Sequence, residues 1–304
     1  MIEQSPLWQR VVAVIVLFRT DNDPLPRVRQ LADGLRHVIV VDNSPQGHPA
    51  LLGAELGGIR LIRNANAGLL AGAYNRAIES LERDWPAATH VTFLDEDSDV
   101  HALHVFLRHP PVATLLEDLS TAAVAPIYRD RATGLRGKHM VLGRFWFRWL
   151  PREVSGVHRV SFLINSMAVW RLSALKRIGE FDESLGVDHI DTDYCLRSRR
   201  CQLRLYVCGD VEFEHSIGQR RSYRVLGVQL QSGGHSPARR FAIARNTMAL
   251  ARAHVRSLPA FSVLCGVRMI YEAMGILLAE DHRREKLTAL GRGLLAGLKP
   301  RRAA

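Results

Sequence analysis

The residues best equipped for chemistry are carboxylates gathered behind a short apolar run, Phe93-Leu94-Asp95-Glu96-Asp97-Ser98-Asp99. Like charges this close repel one another unless a cation offsets them. Hard divalent ions take oxygen ligands, and Mg²⁺ is usually held by one or two carboxylates plus substrate phosphates. Without a cation the same residues make a solvated acidic turn or a helix cap. A second acidic segment comprises Phe181-Asp182-Glu183 and Val187-Asp188-His189-Ile190-Asp191-Thr192-Asp193-Tyr194-Cys195-Leu196-Arg197. A helix over 188–199 puts Asp188 and Asp191 on one face and sets Asp193 and Arg197 at i, i+4, so that one acid meets a substrate while another is anchored. The alternative is a helix start whose acids merely suit its dipole.

Two further groups carry less information on their own. Asn64-Ala65-Asn66-Ala67-Gly68, leading to Asn75, is a turn opening a helix whose N–H groups can face an anion, or simply a strand-to-helix turn. His215, in Glu212-Phe213-Glu214-His215-Ser216-Ile217-Gly218, offers an imidazole to a metal or a phosphate, although a lone histidine is as readily structural. Arg220 and Arg221 beside it suit a diphosphate, or only charge the surface.

Positioning these groups requires a sheet. Residues 11–18 are a continuous apolar, largely β-branched run, the mark of a strand covered on both faces and hence of a parallel sheet. Similar runs at 37–41, 59–62 and 90–94 alternate with helical stretches at 25–35 and 69–83, the pattern of a doubly wound α/β half. Ligands of such sheets bind beyond the carboxyl ends of the strands, where Asp42, Asn43, Asn64, Asn66, Asp95, Glu96 and Asp97 fall. From Thr121 the pattern becomes α+β. It predicts a strand at 122–126, a basic aromatic loop at 144–149, a strand at 160–170, a helix at 188–199, a strand at 203–207 and a largely helical tail from about Arg239.

The chain of 304 residues has ordinary globular composition and a formal charge of +11, which favours anionic partners. The excess gathers in the tail from Asp281 to Ala304, and no reader motif for specific nucleic acid is present. Four cysteines form no C-x-x-C pair, which argues against a zinc knuckle or redox dithiol. The first residues lack a signal-peptide pattern, so a cytoplasmic location is expected. The apolar stretch 261–279 is interrupted by Arg268 and Glu272 and reads as a buried or interfacial helix.

Taken in order, Val40-Val41-Asp42-Asn43-Ser44, Asn66-Ala67-Gly68 with Asn75, Leu94-Asp95-Glu96-Asp97-Ser98, Phe181-Asp182-Glu183 and Asp191 to Arg197 resemble the inverting family-two glycosyltransferases of GT-A fold. Within these the chain is similar to the rhamnosyltransferase-like branch, whose helical end Arg245-Asn246 and Gly291 to Leu298 also resemble. The resemblance implies an α/β, Rossmann-like mixed sheet flanked by helices. The GT-A domain would span 8–220, with a nucleotide-binding half at about 8–110 and an acceptor half at about 111–220, and a basic helical extension would span 221–304. Asp42, Asn43, Asn66, Gly68, Asn75, Asp95 and Glu96 would then surround the nucleotide. Asp95 and Asp97, joined by His215, would hold Mg²⁺ or Mn²⁺ on the diphosphate. Asp191 would be the catalytic base, and Asp188, Asp193, Arg197, Arg220, Arg221 and Ser166 would line the donor diphosphate or acceptor.

The implied reaction is transfer of L-rhamnose from dTDP-L-rhamnose to a saccharide or lipid-linked glycan in cell-surface polysaccharide synthesis, with the basic tail touching the inner face of the cytoplasmic membrane. A UDP-hexose or UDP-galactofuranose donor, and a catalytically silent nucleotide-sugar-binding scaffold, stand as alternatives. The chain departs from the family pattern at Phe18-Arg19-Thr20, at Ile190 and at Asn165-Ser166-Met167.

Overall fold

The computed structural model describes residues 6–20, 22–51, 57–216, 221–225 and 228–299. The first part of the chain alternates as expected: α1 (Leu7–Arg10), β1 (Val11–Leu17), α2 (Leu25–Gly34), β2 (His37–Asp42), β3 (Ile59–Arg63), α3 (Leu69–Asp84) and β4 (His90–Leu94). Next come α4 (Val100–Leu107), α5 (Pro110–Glu117), β5 (Thr121–Asp130), β6 (Met140–Leu142), β7 (Phe147–Trp149), β8 (Val157–Val160) and β9 (Val169–Arg171). The chain continues through α6 (Leu172–Ile178), α7 (Ile190–Arg200), β10 (Arg204–His215), β11 (Arg221–Val225) and β12 (Val228–Ser232). It ends with α8 (Pro237–His254), α9 (Pro259–Ala279) and α10 (Arg283–Gly297).

The elements group into two compact units. The first comprises Met1–Arg129, Leu135–His139 and Leu150–His215, and the second comprises Asp130–Gly134, Met140–Trp149 and Ser216–Ala304. The first unit is built on an eight-stranded sheet of order β3-β2-β1-β4-β9-β5-β10-β8. β1 is parallel to both β2 and β4, and all but one of its residues are buried, as a strand covered on both faces must be. The antiparallel β9 then separates β4 from β5 and makes the sheet mixed. Two sequence expectations change here. Residues 160–170 are not one strand, because the chain leaves the sheet between β8 and β9 and Met167 takes a left-handed φ of 61°. The helix expected from Asp188 begins at Ile190, since His189 takes a left-handed φ of 72°. Asp188 therefore lies in the preceding turn and shares no helical face with Asp191.

In the second unit α8, α9 and α10 pack around Ile243, Ala244, Met269, Ile276 and Leu290. Gly293 and Gly297 permit the close approach of α10 to α8, because a Cβ at either would come within 2.4 Å of a backbone carbonyl of α8, that of Phe241 or Arg245. Arg240 is only 1% exposed and pairs with Glu272 and Glu280, and Glu280 also accepts from the Lys286 ammonium at 2.8 Å. Removing one member of a buried ion network strands its partners without solvent. Arg240→Ala is accordingly expected to cost about 3 kcal/mol, measured as a lower urea midpoint at unchanged slope.

Candidate active site

The parallel register sets Leu17 beside Asp42 and Ile15 beside Leu94, which brings the carboxyl tips of β1, β2 and β4 to one edge of the sheet. Asp95 follows β4 directly. Its backbone N–H donates to the Ser98 hydroxyl at 2.9 Å and its carbonyl accepts from the Ser98 N–H at 3.1 Å, so residues 95–98 form a closed turn. That turn holds Asp95 and Asp97 apart from Asp99, which caps α4 by accepting from the Ala102 N–H at 3.0 Å. Asp95, Asp97 and His215, the last residue of β10, each present a ligand atom within 4.8 Å of the others. The His215 Nδ1 stands 3.7 Å from an Asp95 oxygen, and its ring is flanked by Tyr128 and Phe213. Two carboxylates and an imidazole converging in this way suit Mn²⁺ or Mg²⁺. Glu96, between the two aspartates, is exposed.

Asp191 stands in the first turn of α7 and accepts a hydrogen bond from the Asn165 backbone N–H. Its negative charge is felt by the buried Tyr74, which belongs to an aromatic cluster in which Tyr74 meets Phe93 at 4.3 Å, Phe93 meets Phe181 at 5.6 Å and Phe181 stacks on Tyr194 at 3.9 Å. Burial lifts the Asp191 carboxyl to about 7, the Asn165 hydrogen bond opposes this, and the negative charge of Asp95 adds to it. Asp95 itself is raised, first by burial, against the opposing effects of His215 and a Ser166 hydrogen bond and with the help of Asp97. Ser166, buried and bridged to Phe93, is thus tied to the Asp95 carboxylate.

The turn at 64–68 also converges on this edge. The Asn64 amide donates to the Asn43 side-chain oxygen at 2.7 Å, and the Asn43 amide donates to that of Asn66 at 3.2 Å. Asp42 receives the backbone N–H groups of Ser44 at 3.0 Å and His48 at 2.6 Å, which shapes the loop after β2. Gly68 takes a φ of 62°, and a Cβ there would meet the Glu183 carboxylate at 2.3 Å.

Three comparisons bear on this arrangement. No protein-family model matches the chain. It is 25% identical over 257 residues, 80% of each chain, to the dTDP-rhamnosyl transferase RfbF of Shigella flexneri. Among solved structures it matches that of GalNAc-T7 with UDP, GalNAc and Mn²⁺, a GT-A glycosyltransferase, with a TM-score of 0.52 and 14% identity, over 80% of this chain and 48% of that one. The chain has the GT-A fold and is similar to a rhamnosyltransferase. It spans about half the length of GalNAc-T7.

Several residues expected at the site of this GT-A protein are engaged elsewhere. Both amide hydrogens of Asn75 are donated, to the Phe181 carbonyl at 3.0 Å and to Glu183 at 3.1 Å, while its oxygen accepts from the Phe181 N–H at 2.8 Å. Asn75 therefore clamps α3 to the Phe181-Asp182-Glu183 segment and has no hydrogen left for a nucleotide. Arg197 holds Asp193 at 2.8 Å, donates to the Ile178 carbonyl at 3.0 Å and covers the Tyr194 ring. That pair fastens α7 to α6. Arg220 lies outside the described residues, and Arg221 is described only as the first residue of β11.

One residue escapes the motif reading. The Asn165 side chain is 2% exposed, and among the described residues neither its amide nitrogen nor its oxygen has a hydrogen-bond partner. The only sequence signal was that Asn165-Ser166-Met167 departs from the family pattern.

The Asp191 environment has a consequence for stability. Folded Asp191 titrates near 7 against 3.8 for an ordinary aspartate, so the folded state holds this proton more tightly than the unfolded chain does. The resulting stabilisation is complete below the unfolded value and is lost as the pH rises through 7. Asp191→Asn removes that loss. In metal-free protein the stability of the variant relative to the wild type is expected to rise between about pH 4 and about pH 8 and to level off above that, read from paired thermal unfolding curves.

Proposed function

We propose that this protein is an inverting, metal-dependent glycosyltransferase that moves L-rhamnose from dTDP-L-rhamnose onto a saccharide or lipid-linked glycan in cell-surface polysaccharide synthesis, acting in the cytoplasm at the membrane face. The observation carrying this reading is the pairing of the Asp95, Asp97 and His215 cluster with a separate carboxylate, Asp191, raised to about 7. A general base works best when its proton affinity lies near the operating pH. Likeness to the Shigella flexneri dTDP-rhamnosyl transferase supports the choice of donor.

Asp191 accepts the proton of the acceptor hydroxyl as that oxygen bonds to the anomeric carbon. The bond from this carbon to the diphosphate breaks on the opposite face, which inverts the configuration and sends the electron pair to the departing nucleotide. Asp95, Asp97 and His215 would hold a divalent cation, which would supply positive charge to steady the leaving diphosphate. Asn43, Asn64 and Asn66 keep the tips of β2 and β3 in shape around the nucleotide, and Ser166 holds Asp95 in place.

Incubation with dTDP-L-rhamnose, UDP-galactose and UDP-galactofuranose, each with Mn²⁺, tests the reading through release of the nucleotide diphosphate, with product configuration read by NMR. Release from dTDP-L-rhamnose alone with inversion is the expected result. Release only from a UDP sugar assigns a different donor, and release from none points to a silent scaffold.

A further inference from the structure

Helix α9 carries apolar residues on two faces. Phe261, Cys265, Met269 and Ile276 are buried against the rest of the second unit. Val263, Val267, Ile270, Met274 and Leu277 face outward, from 41 to 63% exposed. Their spacing of three or four residues aligns them in one stripe about 20 Å long. Exposed apolar stripes of this extent mark interaction surfaces.

A second exposed apolar group is fastened to the start of this helix. The hairpin of β6 and β7 displays Phe145, Trp146, Phe147 and Trp149. Its Arg144 carbonyl accepts from the Ala260 N–H at 3.1 Å, and the Arg144 guanidinium donates to the Arg256 carbonyl at 3.4 Å.

The charge around these groups is one-sided. Residues 237–299 contain eleven Lys and Arg against four Asp and Glu. Two of the four acids, Glu272 and Glu280, are paired with buried Arg240. Arg256, Arg268, Arg283 and Arg284 are exposed.

Apolar side chains, tryptophans and surrounding cations together match the headgroup region of an anionic bilayer. Although α9 is long and apolar enough to cross a membrane, spanning would carry Arg268 and Glu272 into hydrocarbon and strip Arg240 of a partner. A second copy of the chain is disfavoured, because both faces would be cationic.

We propose that the outer stripe of α9 and the β6–β7 hairpin form a docking surface for an anionic phospholipid bilayer, with α9 lying in the interface. This deepens the reading of a lipid-linked acceptor, and places the contact on α9 and the hairpin instead of on the basic tail alone.

The test is flotation with vesicles of phosphatidylglycerol and phosphatidylethanolamine, compared with phosphatidylcholine vesicles, for the full chain and two variants. One variant combines Val267→Ser, Ile270→Ser and Met274→Ser, and the other combines Phe145→Ser and Trp146→Ser. The wild type should float with the anionic vesicles, with tryptophan emission shifted to the blue and quenched by brominated lipid. Each variant should lose roughly tenfold or more in partitioning. Circular dichroism and dTDP titration of the same samples report whether the variants fold and keep their nucleotide site. No flotation of wild type, equal flotation of folded variants, or a wild-type dimer dispersed by the substitutions would each overturn the proposal. Flotation without nucleotide binding would instead refute the donor reading and leave this one standing.

Discussion

Asp191→Asn is expected to lower turnover by roughly 10²–10⁴-fold while metal-dependent dTDP binding changes little. The substitution keeps the size of the side chain and an oxygen able to accept the Asn165 N–H, but removes the carboxylate proposed to take the acceptor proton. The transition state thus loses a partner that the ground-state donor complex does not use. The pH profile provides an independent readout. Wild-type kcat/KM should fall on the acid side at or somewhat below about 7, because a bound cation at Asp95 favours the charged form of nearby Asp191. The residual activity of the variant should lack that limb. Weakened nucleotide binding with normal turnover would reassign Asp191 to the donor pocket.

Asp97→Ala should raise the Mn²⁺ concentration needed for half-maximal nucleotide binding by at least about 10–100-fold. Loss of an outer-sphere partner alone costs that much in many metal sites, and a direct ligand counts for more. Asp99→Ala supplies the matched control, since Asp99 caps α4. It should cost about 1 kcal/mol of stability and leave the metal titration unchanged. If Asp97→Ala and Asp99→Ala shift the titration equally, the carboxylates act only through bulk charge and the proposed metal site is wrong. Because Asp95 is held above its ordinary range, metal must displace its proton at low pH, so apparent metal affinity should rise with pH.

The parallel half of the sheet was legible because β1, β2 and β4 are covered on both faces and read as unbroken apolar runs. The convergence of Asp42, Asn43, Asp95 and Asp97 follows from that, since strand ends in parallel register share an edge. The break between β8 and β9 was hidden, because residues 160–170 contain enough apolar side chains to pass for a strand while Met167 adopts a left-handed backbone. The start of α7 was misjudged for a similar reason at His189. Asn75 binds residues more than a hundred positions away, and no local pattern reveals such a clamp. Nor could spacing show that Tyr74, Phe93, Phe181 and Tyr194 assemble into one aromatic cluster whose Tyr74 lies within reach of the Asp191 charge. The apolar content of α9 was plain in the sequence, but which residues face outward depends on how α8 and α10 cover it.

Asp95, Asp97 and His215 are proposed to hold a divalent cation that recruits a nucleotide diphosphate. Calorimetric titration of the purified protein with dTDP, UDP and GDP, each with and without Mn²⁺ or Mg²⁺, tests it without needing an acceptor. The expected result is binding of dTDP that requires the metal and is absent or much weaker for UDP and GDP. Binding of none of the three, or dTDP binding indifferent to metal, would contradict it.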